Sequence, residues 1–150
     1  MKLGLKRRLI LGMSGLTAFA IGLAITLDPQ SFYANYGIVL SPQPNLMSEL
    51  RAPAANLAVL GLIILCGAFY QKLVQASALL GATVFSAFAV GRTISFVLDG
   101  WPSENIIAAF AIEVLLAVLC LWVVGGNAKS AASARDGFSP QNCHLANFTE

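Results

Sequence analysis

The sequence predicts an all-α membrane protein: a bundle of four transmembrane helices with a short interfacial helix in the first outer loop. Three observations carry that prediction. The 150 residues are 57% hydrophobic and only 11% charged, whereas soluble domains are about half apolar and about a quarter charged. Four apolar stretches reach the roughly 20 residues needed to cross a hydrocarbon core of about 30 Å. None of them alternates with period 2, so a transmembrane barrel is not expected.

The first helix is expected over residues 9–27. Lys2, Lys6, Arg7 and Arg8 precede it as in a signal peptide. The apolar run, however, exceeds the usual 7 to 15 residues of a signal core, and no A-x-A site closes it. A retained helix is the expectation. Ser14, Ala18 and Gly22 form a small-xxx-small seam along it, a pattern that lets helix backbones approach in lipid. A neighbour within the same chain is expected to meet the seam before a second chain does.

The loop that follows, residues 28–49, is the only connection with room for structure. Its stretch "DPQSFYANYG" reads as a short helix, with Asp28 as cap, Pro29 at the first helical position and Gly37 as the stop. Phe32, Tyr33 and Tyr36 give it an aromatic side, suited to an interfacial anchor or to a flap over the bundle mouth. The anchor is the first expectation, because aromatic belts are general.

The second helix is expected over 50–70 and the third over 74–98, joined by a tight turn. The turn "DGWPSE" then leads into a fourth helix over 105–124. Residues 1–124 thus make one transmembrane domain. From Gly125 the composition turns small and polar, and residues 125–150 are expected to be a mobile cytoplasmic tail that starts where the glycines stop the helix. Leu27-Asp28 followed by Ser48-Glu49 echoes Leu98-Asp99 followed by Ser103-Glu104, as if two helical hairpins shared one plan.

Charge sets the orientation. With the N-terminus inside, Lys2, Lys6, Arg7, Arg8, Lys72, Lys129 and Arg135 are cytoplasmic, which is seven of the nine basic residues. Only Arg51 and Arg92 then face the other side. That distribution satisfies the positive-inside rule and places both termini in the cytoplasm. The net charge of +2 is accordingly a topology signal, and nucleic acid is not an expected partner.

The few polar residues inside the spans mark the candidate site. Arg92 lies about 10 Å below the outer end of its helix and Glu113 about 13 Å below the outer end of the next, at 1.5 Å per residue. Gly81, Phe85, Ala89, Arg92 and Asp99 share one stripe, and Ile106, Ala109, Glu113, Ala117 and Cys120 share another. A charge within a bilayer costs about 2.5 to 3.5 kcal/mol on insertion scales, so such residues face inward and find partners. Arg92 is expected to face the interior and pair with Glu113, with Asn56 at similar depth completing the hydrogen bonds. Glu49 shares the Asn56 face, and Arg51 reaches for water or headgroups near the interface. The layer is therefore Arg92, Glu113, Asn56, Glu49, Arg51 and Asp99.

Familiar catalytic constellations are missing, so an enzyme is not expected. His144 is the only histidine; no Ser-His-Asp or Cys-His site can form in the bundle, and no cluster has zinc or haem spacing. Neither a metal nor another cofactor is expected. Cys66 and Cys120 read as small buried hydrophobes. Cys143-His144 would need ligands from a partner to hold a metal, and the glycosylation pattern Asn147-Phe148-Thr149 falls on the cytoplasmic side, where it is chance.

"SELRAP", "DPQSFYANYG", "GRTISFVLDG" and "AAFAIEVLLA" together resemble a family of small bacterial integral membrane proteins with four helices, catalogued as a domain of unknown function. The resemblance covers roughly residues 9–124. It implies that Glu49, Arg51, Gly91, Arg92, Asp99, Gly100 and Glu113 are the family's signature polar set, and it brings no activity. Where the resemblance implies small glycines early in the second helix, this chain has Pro53, Ala54, Ala55 and Asn56.

Two functions follow, with an integral membrane enzyme using Glu113 as acid or base ranked third. The first is an accessory or scaffold subunit of a larger complex in the bacterial inner membrane, its polar layer fixing helix register, with the bilayer, other membrane subunits or a second copy as partners. The alternative is a bundle that binds or transports a small molecule or ion through an outer-facing cavity at Arg92 and Glu113. The first is favoured because the inner half offers no polar path, and a conduit needs lining all the way across.

Overall fold

The computed structural model describes residues 4–136, with side chains described through residue 126. The expected residues Cys143, His144 and Asn147 lie outside the described residues. Five α-helices follow in chain order: α1 Leu5–Leu27, α2 Pro29–Ala34, α3 Pro44–Phe69, α4 Val74–Leu98 and α5 Glu104–Asp136. A single 3-10 turn, Gln71–Leu73, joins α3 to α4. Four of the helices are long and apolar enough to cross a membrane, so the chain is an integral membrane protein.

Local chemistry sets most of the boundaries. Asp28 caps α2 by accepting the Ser31 amide at 3.1 Å, Pro29 takes the first helical position, and Gly37, at φ 75°, supplies the left-handed residue just beyond its end. Gly100 does the same after α4, at φ 94°. Two boundaries depart from the sequence expectation. The helix α3 begins at Pro44, not at residue 50, because proline at the first position costs no hydrogen bond and presets φ. The helix α5 does not stop at Gly125 and Gly126 but runs to Asp136. A glycine costs only about 1 kcal/mol in a helix, and the segment beyond is rich in alanine, at Ala128, Ala131, Ala132 and Ala134.

The spanning helices associate as two pairs, α1 with α3 and α4 with α5, which pack on each other mainly through α3 and α4. The α1–α3 pair is built on backbone contact. A methyl group added at Gly22 would meet the Ala54 carbonyl oxygen at 2.6 Å, and one at Gly15 would meet the Gly61 carbonyl oxygen at 2.8 Å. The seam of Ser14, Ala18 and Gly22 is buried within the chain, and Gly15 and Gly61 belong to it. Close approach of small residues is how helices gain packing energy where lipid removes the hydrophobic drive.

The end of the bundle that carries the α3–α4 turn is tightly filled. Leu11, Ile64, Ala68, Val74, Ala78 and Val123 make one buried cluster there. A second, nearer the middle, joins Ala18, Leu57, Val84, Phe85, Leu116 and Ala117. The polar groups between them are satisfied. Ser14 Oγ and Cys120 Sγ share a hydrogen bond at 3.4 Å, Ser77 Oγ donates to the Ile63 carbonyl at 2.9 Å, and Arg8 Nε donates to the Ala68 carbonyl at 3.0 Å near the end of α3. That last contact places a cation at a helix C-terminus, where carbonyls lack partners.

Candidate functional site

The α2 end of the bundle is built differently. There residues of the four spanning helices and of the α2 region surround a cavity of about 470 Å³, within the roughly 300 to 1,000 Å³ of small-molecule sites. Thr17, Ala18, Ile21 and Ile25 of α1 face Phe85, Phe88 and Arg92 of α4, and Leu50, Pro53, Ala54 and Leu57 of α3 face Ile106, Ala109 and Glu113 of α5. Phe32, Tyr33 and Tyr36 close the remaining side. The short helix α2 is thus a wall of the cavity as well as an interfacial element. The rings of α2 and the turn after it hold one another, Phe32 lying 5.5 Å from both Tyr33 and Tyr36 between centroids. Asn105 Nδ2 ties it down by donating to the Asn35 carbonyl at 3.0 Å.

Arg92 and Glu113 meet across the α4–α5 contact. Arg92 Nε donates to Glu113 Oε1 at 3.0 Å and to Oε2 at 2.8 Å. Both residues line the cavity, and their side chains are 29% and 13% exposed. The contact uses one nitrogen of the guanidinium, not two side by side. The two terminal nitrogens, Nη1 and Nη2, have no hydrogen-bond partner among the described residues.

The rest of the expected layer does not gather. Asn56 is exposed and does not line the cavity. At about 100° per residue it points some 200° away from Ala54, which faces inward, and so it cannot complete the hydrogen bonds of the pair. Glu49 is likewise exposed, one heptad before Asn56 on the same outward face. Asp99 is exposed at the end of α4, where it accepts from Ser95 Oγ at 2.8 Å. Arg51 is exposed and close enough to Asp28 to favour its charged form. The main cause of the lowered Asp28 pKa is hydrogen bonding from Ser31, by its hydroxyl and then its amide. These four residues serve loop ends and surface; only Arg92 and Glu113 form the site.

Three residues of this architecture lie outside the expected polar layer and seam: Asn105, which is expected only as a helix start, and Gly15 and Gly61. The glycines carried a signal: Gly15 and Gly22 are spaced by one heptad on the same stripe, as backbone contact requires. Nothing local marks Asn105, since its partner Asn35 lies 70 residues away.

Chemically, the cavity offers an apolar body with a few polar points: a charge-balanced pair, Thr17, Asn105 and two tyrosines. Among the described residues no three His, Cys, Asp or Glu side chains come together to make a metal site. No curated protein and no solved structure matches the chain. A family model does match, over residues 7–124, which takes in α2, α3, α4, most of the first and fourth spans and both members of the ion pair. The chain belongs to the family described as Domain of unknown function (DUF4345).

Proposed function

We propose that this membrane protein binds a small amphiphile in the cavity at its α2 end. The carrying observation is the cavity itself. A polar layer that only fixed helix register would need no 470 Å³ of space beside it, and lipid-facing helices gain nothing from leaving side chains unpacked. The packed cluster around Leu11, Ile64 and Val123 at the other end argues for binding over conduction. By the positive-inside rule the termini are cytoplasmic and the cavity sits toward the opposite face. An accessory-subunit role draws no separate support from the surface: exposed apolar side chains such as Met13, Val59, Val90 and Val118 are spread over all four spans, as bilayer contact requires.

The test is to fill the cavity. Ala109 lines it, and Ala109→Phe puts a ring into the space while keeping both Arg92 and Glu113. Native mass spectrometry from mild detergent should show a small amphiphile retained by the wild type and lost from Ala109→Phe, with thermal stability kept. Ile106→Trp serves as the second plug. Equal retention by the wild type and both variants overturns the reading.

A further inference from the structure

We infer that the cavity selects an uncharged amphiphile whose head carries a hydrogen-bond-accepting carbonyl, an acyl ester, over the carboxylate with the same chain. This deepens the binding reading and rests on it.

The argument begins with donors. A guanidinium carries five N–H groups and no acceptor. Arg92 commits the one on Nε to both oxygens of Glu113, at 3.0 and 2.8 Å. Four N–H groups on Nη1 and Nη2 are left without a partner among the described residues, on a side chain that stays 29% exposed and lines a mainly apolar cavity. In an apolar setting an unmet donor is costly, so the occupant that gains most brings an acceptor to that edge.

Charge then decides which acceptor. Glu113 already balances Arg92, and no other charged residue lines the cavity. A carboxylate would add a third charge with no counterpart, in surroundings where an uncompensated charge is penalised. An ester carbonyl meets the same donors with no net charge. The aliphatic and aromatic walls, Ile21, Ile25, Phe85 and Phe88, take the chain. Tyr33 and Tyr36 stand on the α2 side as further polar points for a head with hydroxyl groups.

The experiment measures displacement of a neutral dye, Nile red, from the purified full chain by monolaurin and by laurate at pH 8, with Ala109→Phe as the control for partition into detergent. Monolaurin should bind at least about tenfold more tightly than laurate, the size of a modest ion-pair contribution. In Glu113→Gln the arginine loses its counter-charge and the order should invert in favour of laurate. The double change Arg92→Gln, Glu113→Gln restores neutrality and should return the preference to monolaurin. That variant keeps the test open if Glu113→Gln alone does not fold. Equal or stronger binding of laurate by the wild type, abolished by Ala109→Phe, overturns the selectivity while leaving the binding site standing. Displacement that is the same in the wild type and Ala109→Phe overturns both.

Discussion

The two helix pairs of this bundle follow similar outlines and hold together by different means. In α1–α3 the backbones touch: Gly15, Gly22 and Gly61 sit where any side chain would meet main-chain atoms. In α4–α5 side chains intervene. A methyl at Gly81 would meet Cys120 Sγ at 2.9 Å, the end of a side chain, and the far end of the pair is bridged by Arg92 and Glu113. The lesson is one of tolerance. Backbone contact cannot yield by rotation about a single bond, whereas a contact between side chains can reorganise around what lies next to it. The cavity opens beside the pair that can give.

The largest expected effect tests the rigid pair. Gly61→Ala should cost about 3 kcal/mol, the upper end of what overpacking usually costs, because the added methyl would lie 2.8 Å from the Phe19 Cα. Gly81→Ala should cost about 1 kcal/mol, since the Cys120 thiol can turn aside, and Cys120→Ala should relieve most of that. Thermal unfolding in detergent reads all three. Equal losses at Gly61 and Gly81 would erase the distinction between the pairs.

Next in size is the ion pair. Breaking a fully buried pair costs about 3 to 5 kcal/mol, and the partial exposure of Arg92 brings the expectation for Glu113→Leu down to about 2 kcal/mol. Adding Arg92→Leu should recover part of the loss, because no stranded charge remains. Strictly additive losses would show that the two do not act together. Glu113→Gln should be milder than Glu113→Leu, since its amide oxygen still accepts from Nε. The single-nitrogen contact also alters the expectation for lysine. Arg92→Lys keeps a charged donor for Glu113 and should be milder than Arg92→Leu, whereas a fork-to-fork contact would have made it severe.

The smallest effect belongs to α2, the wall both pairs share. The carboxyl of Asp28 is held below its ordinary value by Ser31. Its contribution is therefore fully present above the unfolded value of about 3.9 and is lost as the pH falls through the lowered folded value. Near-ultraviolet circular dichroism from Tyr33 and Tyr36 should stay constant from neutral pH to about pH 4 and change only below it. Asp28→Asn should flatten that change, since the amide still caps but no longer titrates near that pH. A transition centred near neutral pH would place the control of α2 elsewhere.

Helix number, helix type and the depth of the charged residues were legible in the sequence, because each follows from local composition and the fixed rise of 1.5 Å per residue. The pairing of Arg92 with Glu113 was legible for the same reason: a tight turn brings two helices together, and equal depth on small-residue stripes does the rest. Asn56 shows where such reasoning fails. Depth placed it level with the pair, but rotation decides contact, and the rotation of α3 is set by Gly61 and Ala58 lying against α1. The end of α5 failed for another reason. Gly125 and Gly126 read as a stop, while the alanine-rich segment after them carries the helix on to Asp136.

The sequence by itself determined that the chain crosses a membrane four times, that α2 caps at Asp28, and that two charges share a layer in one half, since hydropathy, capping and helical rise act within a few residues. Only the tertiary structure decided that the layer shrinks to one ion pair, that Arg92 meets Glu113 through Nε alone, and that α2 walls a cavity of about 470 Å³. A cavity is a property of what does not touch. It arises where Ala18, Ala54 and Ala109, from three different helices, come to line one space, and no stretch of sequence records how far apart three helices stand once glycines elsewhere have fixed their approach.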